Sequence, residues 1–181
     1  MVERRQGGET GVAAVQAVSG DAIATALKER RWSRELLDAA VAATPVPRKG
    51  RPRGLGKNAV FFLLDYRDGL QAAVAMNTGL AAQFAFAGQV KGEARPCAAW
   101  FRLQDGRPYG HFAHLLRAIE HTIHTGKPAY PVERTLLTTG VLDALMHSAA
   151  GGNRAVKTPD LAVRYQPADW PFARGVPTEK E

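Results

Sequence analysis

Four of the five histidines fall within one short stretch, as His111, His114, His121 and His124. Imidazoles at helical spacing are the usual starting point for a metal site. Counted from Phe112 at 100° per residue, His114 and His121 lie opposite the apolar positions. They stand about 10 Å apart along a helix, too far to share one ion. His111 and His114 are three residues apart, but no carboxylate occupies their turn. The set reads as a solvated helix face, and no metal is expected. Cys97 is the single cysteine, which excludes an internal disulfide and a multi-cysteine zinc site. No His–Asp pair can be assigned to it, so a small buried apolar side chain is expected there. Gly54-Leu55-Gly56-Lys57-Asn58-Ala59 fits the pattern G-x-G-x-x-A. A dinucleotide fingerprint must follow a strand and open a helix. This one follows a Pro/Arg-rich tract and opens a strand, so no cofactor-binding residue is expected in the chain.

The 24 Lys and Arg residues exceed the 17 Asp and Glu residues, giving a net charge of +7. Arg48, Lys49, Arg51, Arg53 and Lys57 sit in one tract without an acid. Without them about two positive charges remain over the rest of the chain. The excess is therefore local, and the tract lacks the aromatic residues of a single-strand binder. A solvated loop is the reading, with anion capture and nucleic-acid binding as its alternatives. MVERRQGGETG has no apolar core of a secretory signal. No run approaches the roughly 18–20 apolar residues of a membrane span. With one cysteine and no signal, a cytoplasmic protein is expected.

The elements that position these residues begin with a linker or strand tail at Met1–Gln6. A short helix is predicted over 9–18, a second over Asp21–Arg31, and a third capped by Ser33 with Leu36, Leu37 and Val41 on one face. Residues 44–57 form a Pro/Gly/cation-rich loop. Four strands are predicted next: Val60–Tyr66, Gln71–Met76, Gln83–Val90 and a segment near Ala98–Leu103. Asp68-Gly69 makes the first hairpin turn, with positive φ at both residues. Strands joined by such short turns imply one antiparallel sheet. Gly110–His124 carries an apolar stripe of Phe112, Leu115, Leu116, Ile119 and Ile123. Gly126 ends it, and Pro131 opens a helix from about Val132 to Ser148. In that helix Gly140, Ala144 and Ser148 recur every four residues and suit close packing. Leu161–Tyr165 is predicted as the last strand, and the tail 167–181 as irregular. One α+β domain follows over 1–181, with an antiparallel sheet covered on one face.

Two stretches carry a resemblance. Residues 111–161 read HFAHLLRAIEHTIHTGKPAYPVERTLLTTGVLDALMHSAAGGNRAVKTPDL, and residues 2–23 read VERRQGGETGVAAVQAVSGDAI. Together they resemble the C-terminal domain of Gfo/Idh/MocA oxidoreductases, in a poorly characterised bacterial subgroup. The shared features are the Gly-Gly segment, the TGKP turn, the S…GG helix end and the TP step, in that order. The resemblance frames nearly the whole chain and lacks the family's N-terminal Rossmann domain and its E-K-P motif. Met1 falls where the family has an internal residue, so a fragment or a non-catalytic relative is expected.

The resemblance implies an open, mostly antiparallel β-sheet with helices packed on one face, in a half that shapes a sugar- or polyol-like substrate pocket and contributes to oligomerisation. NAD or NADP is implied for a full-length parent, held by a Rossmann half, and the chain alone is not expected to be catalytic. Many family members place an acid and, four residues on, a histidine on one helix face toward the substrate carbinol. The matching positions here are Glu9 and Ala13, so the acid is present and the proton carrier is not. Catalytic residues are therefore unknown. Substrate-binding candidates are Glu9, and Tyr109 and His111 at a strand-to-helix junction where family pockets open. Glu9 has a structural alternative as a first-turn helix acid. The implied partners are the substrate, a Rossmann half and a second copy through the sheet face. A stand-alone binding or scaffold module is the alternative reading, and a basic nucleic-acid-associated protein the third.

Overall fold

A computed structural model describes residues 8–46, 54–81, 83–104, 106–168 and 170. The readings made for Met1–Gln6, for Arg48–Arg53 and for the tail beyond Trp170 lie outside these residues.

The first named element is β1 (Val12–Ser19), a strand and not the predicted helix. The valines at 12, 15 and 18 imitate a helical stripe in the sequence. A β-bulge between Val12 and Ala14 accounts for the Val12–Val15 part of it, while Val18 lies in the cluster on the other face. The extra residue lets Val12 and Val15, three apart, enter the same core cluster. Strand pairing on both sides then overrides helix propensity. After Gly20, α1 (Asp21–Lys28) buries Ile23 and Ala26. The next helix is α2 (Arg34–Ala42), and the predicted cap is present: Ser33 Oγ accepts the Leu36 N–H at 3.2 Å.

The predicted central hairpin forms as β2 (Val60–Tyr66) and β3 (Gln71–Met76). Its turn differs from expectation. Only Gly69 has positive φ, at 86°. The Gly69 N–H bonds the Tyr66 carbonyl and the Tyr66 N–H bonds the Leu70 carbonyl. This is a three-residue loop with glycine in the left-handed position, and the Asp68 carboxylate accepts the Leu70 N–H.

The predicted continuous meander breaks after β3. The strands β4 (Phe84–Gly88) and β5 (Cys97–Phe101) form their own two-stranded sheet, against which α2 packs. Gln83 fastens this hairpin. Its Oε1 accepts from Trp100 Nε1 and the Leu103 N–H, both at 2.9 Å, and its Nε2 donates to the Leu103 carbonyl at 3.0 Å.

The helices α3 (Phe112–Thr125) and α4 (Val132–Ala150) follow the predicted bounds closely, with left-handed Gly126 closing α3. The last strand is β6 (Val156–Lys157). Leu161–Tyr165 is not the predicted strand: Pro159–Leu161 is a 3-10 turn, and only Tyr165 bridges, to Glu9. Pro159 at the start favours that turn over a strand ladder, since it has no N–H to donate.

The main sheet has the order β3-β2-β1-β6, antiparallel at each pairing. The fold is thus α+β with an open antiparallel sheet. Strand alternation sends Leu64 and Tyr66 to one face, where they meet Leu137, Val141, Ala144 and Leu145 of α4. Phe61 and Leu63 point the other way, to Ile23, Ala26 and Trp32. The expected helix layer is α4, and α1 with Trp32 closes over part of the opposite face. Trp32 stacks on Phe61 at 4.6 Å between ring centroids, and its Nε1 donates to the Ile23 carbonyl at 2.8 Å.

Candidate functional site

Glu9 sits just before β1, where its N–H donates to the Tyr165 carbonyl at 2.8 Å. It is 3% exposed. Its Oε1 accepts the N–H groups of Thr10 at 2.8 Å and Gly11 at 2.9 Å. Its Oε2 is buried with no donor, as is Thr10 Oγ1. The reading as a first-turn helix acid is corrected, because no helix begins there. Glu9 precedes β1 and Ala13 lies within it, with left-handed Gly11 between them, so they do not stand one turn apart on a helix. The carboxylate fixes two backbone N–H groups where the chain turns into the sheet. Gly11 completes this turn at φ 85°. A Cβ there would lie 2.1 Å from the Leu161 carbonyl oxygen.

Tyr109 and His111 stand on the link from β5 to α3, as predicted. Tyr109 is 44% exposed, and its carbonyl accepts the Phe112 N–H. His111 Nδ1 accepts the Gln104 N–H at 3.2 Å, and Gln104 Oε1 accepts the Gly110 N–H at 2.6 Å. The His111 ring lies 4.4 Å from the Phe112 ring. These bonds fold the junction back on itself, and His111 is engaged in shaping it. No hydrogen bond or ring contact among the described residues joins Glu9 to Tyr109 or His111. The three sequence candidates therefore occupy two separate places.

His121 packs its ring on Trp170 at 5.0 Å. Among the described residues, no group of three His, Cys, Asp or Glu side chains comes together as a metal cluster. Cys97 is exposed, which corrects the expected burial; it opens an edge of the small β4–β5 sheet, and its thiol lies 3.2 Å from the Gly88 carbonyl. Gly56 and Ala59 close a tight turn into β2, with the Ala59 N–H on the Gly56 carbonyl. The G-x-G-x-x-A stretch thus leads into a strand.

An open apolar feature lies on α3. Its predicted stripe forms, yet Phe112, Leu115, Leu116, Ile119 and Ile123 are all exposed. The sole buried α3 residue is Ala118. No other named helix or strand packs closely on α3. Beside the stripe runs a groove of about 330 Å³, lined by Leu115, Ile119 and Ile123 on one wall and Pro128, Tyr130 and Val132 on the other. A second apolar area lies on the small sheet. Phe84 and Phe101 are cross-strand neighbours there, and both are exposed together with Phe86. Sequence periodicity located the stripe but gave it to the core, since a stripe looks the same whether or not a partner covers it.

The fold and these surfaces define an α+β module with a sealed polar turn and two open apolar faces. No family model, no curated protein and no solved structure matches the chain. No described helix is long and apolar enough to cross a membrane.

Proposed function

We propose that the chain is the substrate-binding and assembly half of an NAD(P)-dependent oxidoreductase of Gfo/Idh/MocA type, inactive on its own. One observation carries the reading: large apolar side chains stay open to solvent on both α3 and the β4–β5 sheet. Monomeric proteins rarely leave more than a few hundred Å² of contiguous apolar surface uncovered. Such faces belong to a part that is completed by another surface. In this reading the Rossmann half brings NAD or NADP, and a sugar- or polyol-like substrate meets the two halves. The face with Phe84, Phe86 and Phe101 is one of the two surfaces open to such a partner.

The alternative is a stand-alone, non-catalytic binding or scaffold module. The burial of Glu9 favours it, because the residue is 3% exposed and its Oε2 is buried, out of reach of a substrate hydroxyl. Thermal melts separate these readings from a self-sufficient dehydrogenase. Neither NAD nor NADP should raise the Tm of the isolated chain, and a rise with either would overturn the proposal, since native-state binding must stabilise. Millimolar sugars and polyols, added singly, should raise the Tm if this is a substrate-binding half. Their failure across the series would leave the scaffold reading in its place.

A further inference from the structure

We infer that the α3 face, and not the β4–β5 sheet face, pairs two copies of this chain. The inference rests on the assembly reading above and names the partner of one of its two open surfaces. Three features single out α3. The first is area. Five side chains of α3, each open by two-fifths to three-quarters, with Tyr130 and Val132 beside them, present on the order of 500–700 Å² of apolar surface. A standard interface takes about 800 Å² from each partner, so this face with its polar rim is the right size.

The second feature is shape. The groove takes one side of α3, through Leu115, Ile119 and Ile123. Phe112 and Leu116 are not among its lining residues and stand beside it as a ridge, each more than half exposed. A two-fold axis that lays one ridge in the partner's groove does the same in the other direction, which closes the pair. One surface thus supplies both the projecting groups and the cavity that receives them. None of Phe84, Phe86 and Phe101 on the β4–β5 face lines that groove.

The third feature is charge at the contact. All five stripe residues are apolar, and Tyr130 and Val132 add no charge of their own; a cation borders the groove at Tyr130, where the Arg134 guanidinium lies 4.9 Å over the ring. Burying an unpaired ion would cost several kcal/mol. Within α3 itself Arg117 and Glu120 balance, so the helix carries no net Lys/Arg or Asp/Glu charge against the contact.

The test is sedimentation velocity of the full chain and its surface variants at tens of micromolar. The wild type should sediment as a dimer. Leu116→Asp introduces a charge on the ridge, where the side chain is 57% exposed, so the fold should persist. It should weaken pairing by at least about a hundredfold and leave a monomer. Ile119→Gln, a milder change at the groove wall, should shift the dimer–monomer midpoint in the same direction. Phe84→Asp on the small sheet should leave the dimer intact. A dimer lost with Phe84→Asp and kept with Leu116→Asp would overturn the inference and return pairing to the sheet face. A monomeric wild type would overturn it outright. Neither result touches the oxidoreductase-half reading, which stands or falls on the nucleotide and polyol melts.

Discussion

Ser148 of α4 and Ala17 of β1 are joined by a hydrogen bond across 131 positions of sequence, with Ser148 Oγ accepting the Ala17 N–H at 3.0 Å. The bond exists because β6 is short. It pairs β1 only at Ala14 and Val15, so the β1 edge beyond them has no strand partner. The Ser148 hydroxyl takes that place, and it also donates to the Arg154 carbonyl at 2.5 Å. Gln16 continues the same edge by donating to the Asn153 carbonyl at 2.9 Å. Substitution of Ser148 by Ala should therefore strand a buried N–H and cost about 1–3 kcal/mol. For a chain of this size that lowers Tm by roughly 2–4 °C per kcal/mol. A denaturant midpoint within error of wild type would show that water replaces the hydroxyl.

Gly11 and Gly69 have nearly the same φ, 85° and 86°, in different surroundings. A side chain at Gly69 would meet nothing within 4 Å, whereas one at Gly11 would collide with the backbone of Leu161 and Val163. Gly69→Ala should cost about 1 kcal/mol from the dihedral alone. Gly11→Ala adds a clash that no rotamer relieves, and should cost about 4 kcal/mol or more. Parallel urea titrations would compare them. Equal losses would mean that the 161–163 segment moves aside freely.

Trp32 fills the sheet face opposite α4. Trp32→Ala should cost about 3–5 kcal/mol through the lost packing on Phe61. Trp32→Phe keeps most of that packing but removes the bond to the Ile23 carbonyl. Its cost should be nearer 1–2 kcal/mol. Chemical denaturation followed by far-UV circular dichroism reads both. A larger loss for Phe than for Ala would contradict this division.

Gln83 makes three bonds to the β5 side of its hairpin, and removing them should loosen that hairpin without unfolding the main sheet. Gln83→Ala should speed hydrogen exchange at the Leu103 amide by about tenfold, while the amides of β1 and β2 keep their protection. Uniform acceleration across the chain would show that the two sheets unfold as one unit.

Local chemistry made much of the fold legible in advance. Ser33 marks a helix start because a hydroxyl satisfies an orphan N–H, and Gly126 and Pro131 mark a stop and a start for equally local reasons. The stretch Val60–Tyr66 is apolar at successive positions, as a strand covered on both faces must be. Of the Gly140, Ala144 and Ser148 ladder, Ala144 and Ser148 fit the close approach of α4 to the sheet, and Gly140 makes room for the Leu161 side chain of the 3-10 turn. Glu9, Tyr109 and His111 could be singled out by type and by resemblance, but their separation could not, since it depends on how distant segments meet.

What the sequence by itself determined is therefore the set of caps, turns and apolar periods, each written in a few neighbouring residues. Only the tertiary structure decided that Val12–Ser19 is a strand, because its valines gain more from β2, β6 and a bulge than from a helix of their own. It also decided that β4 and β5 leave the main sheet, and that α4 and not α3 covers the sheet. Each of these is a competition between segments for the same apolar surface. A periodic pattern shows that a face seeks cover, but which segment reaches it first is settled by packing between residues far apart in the chain.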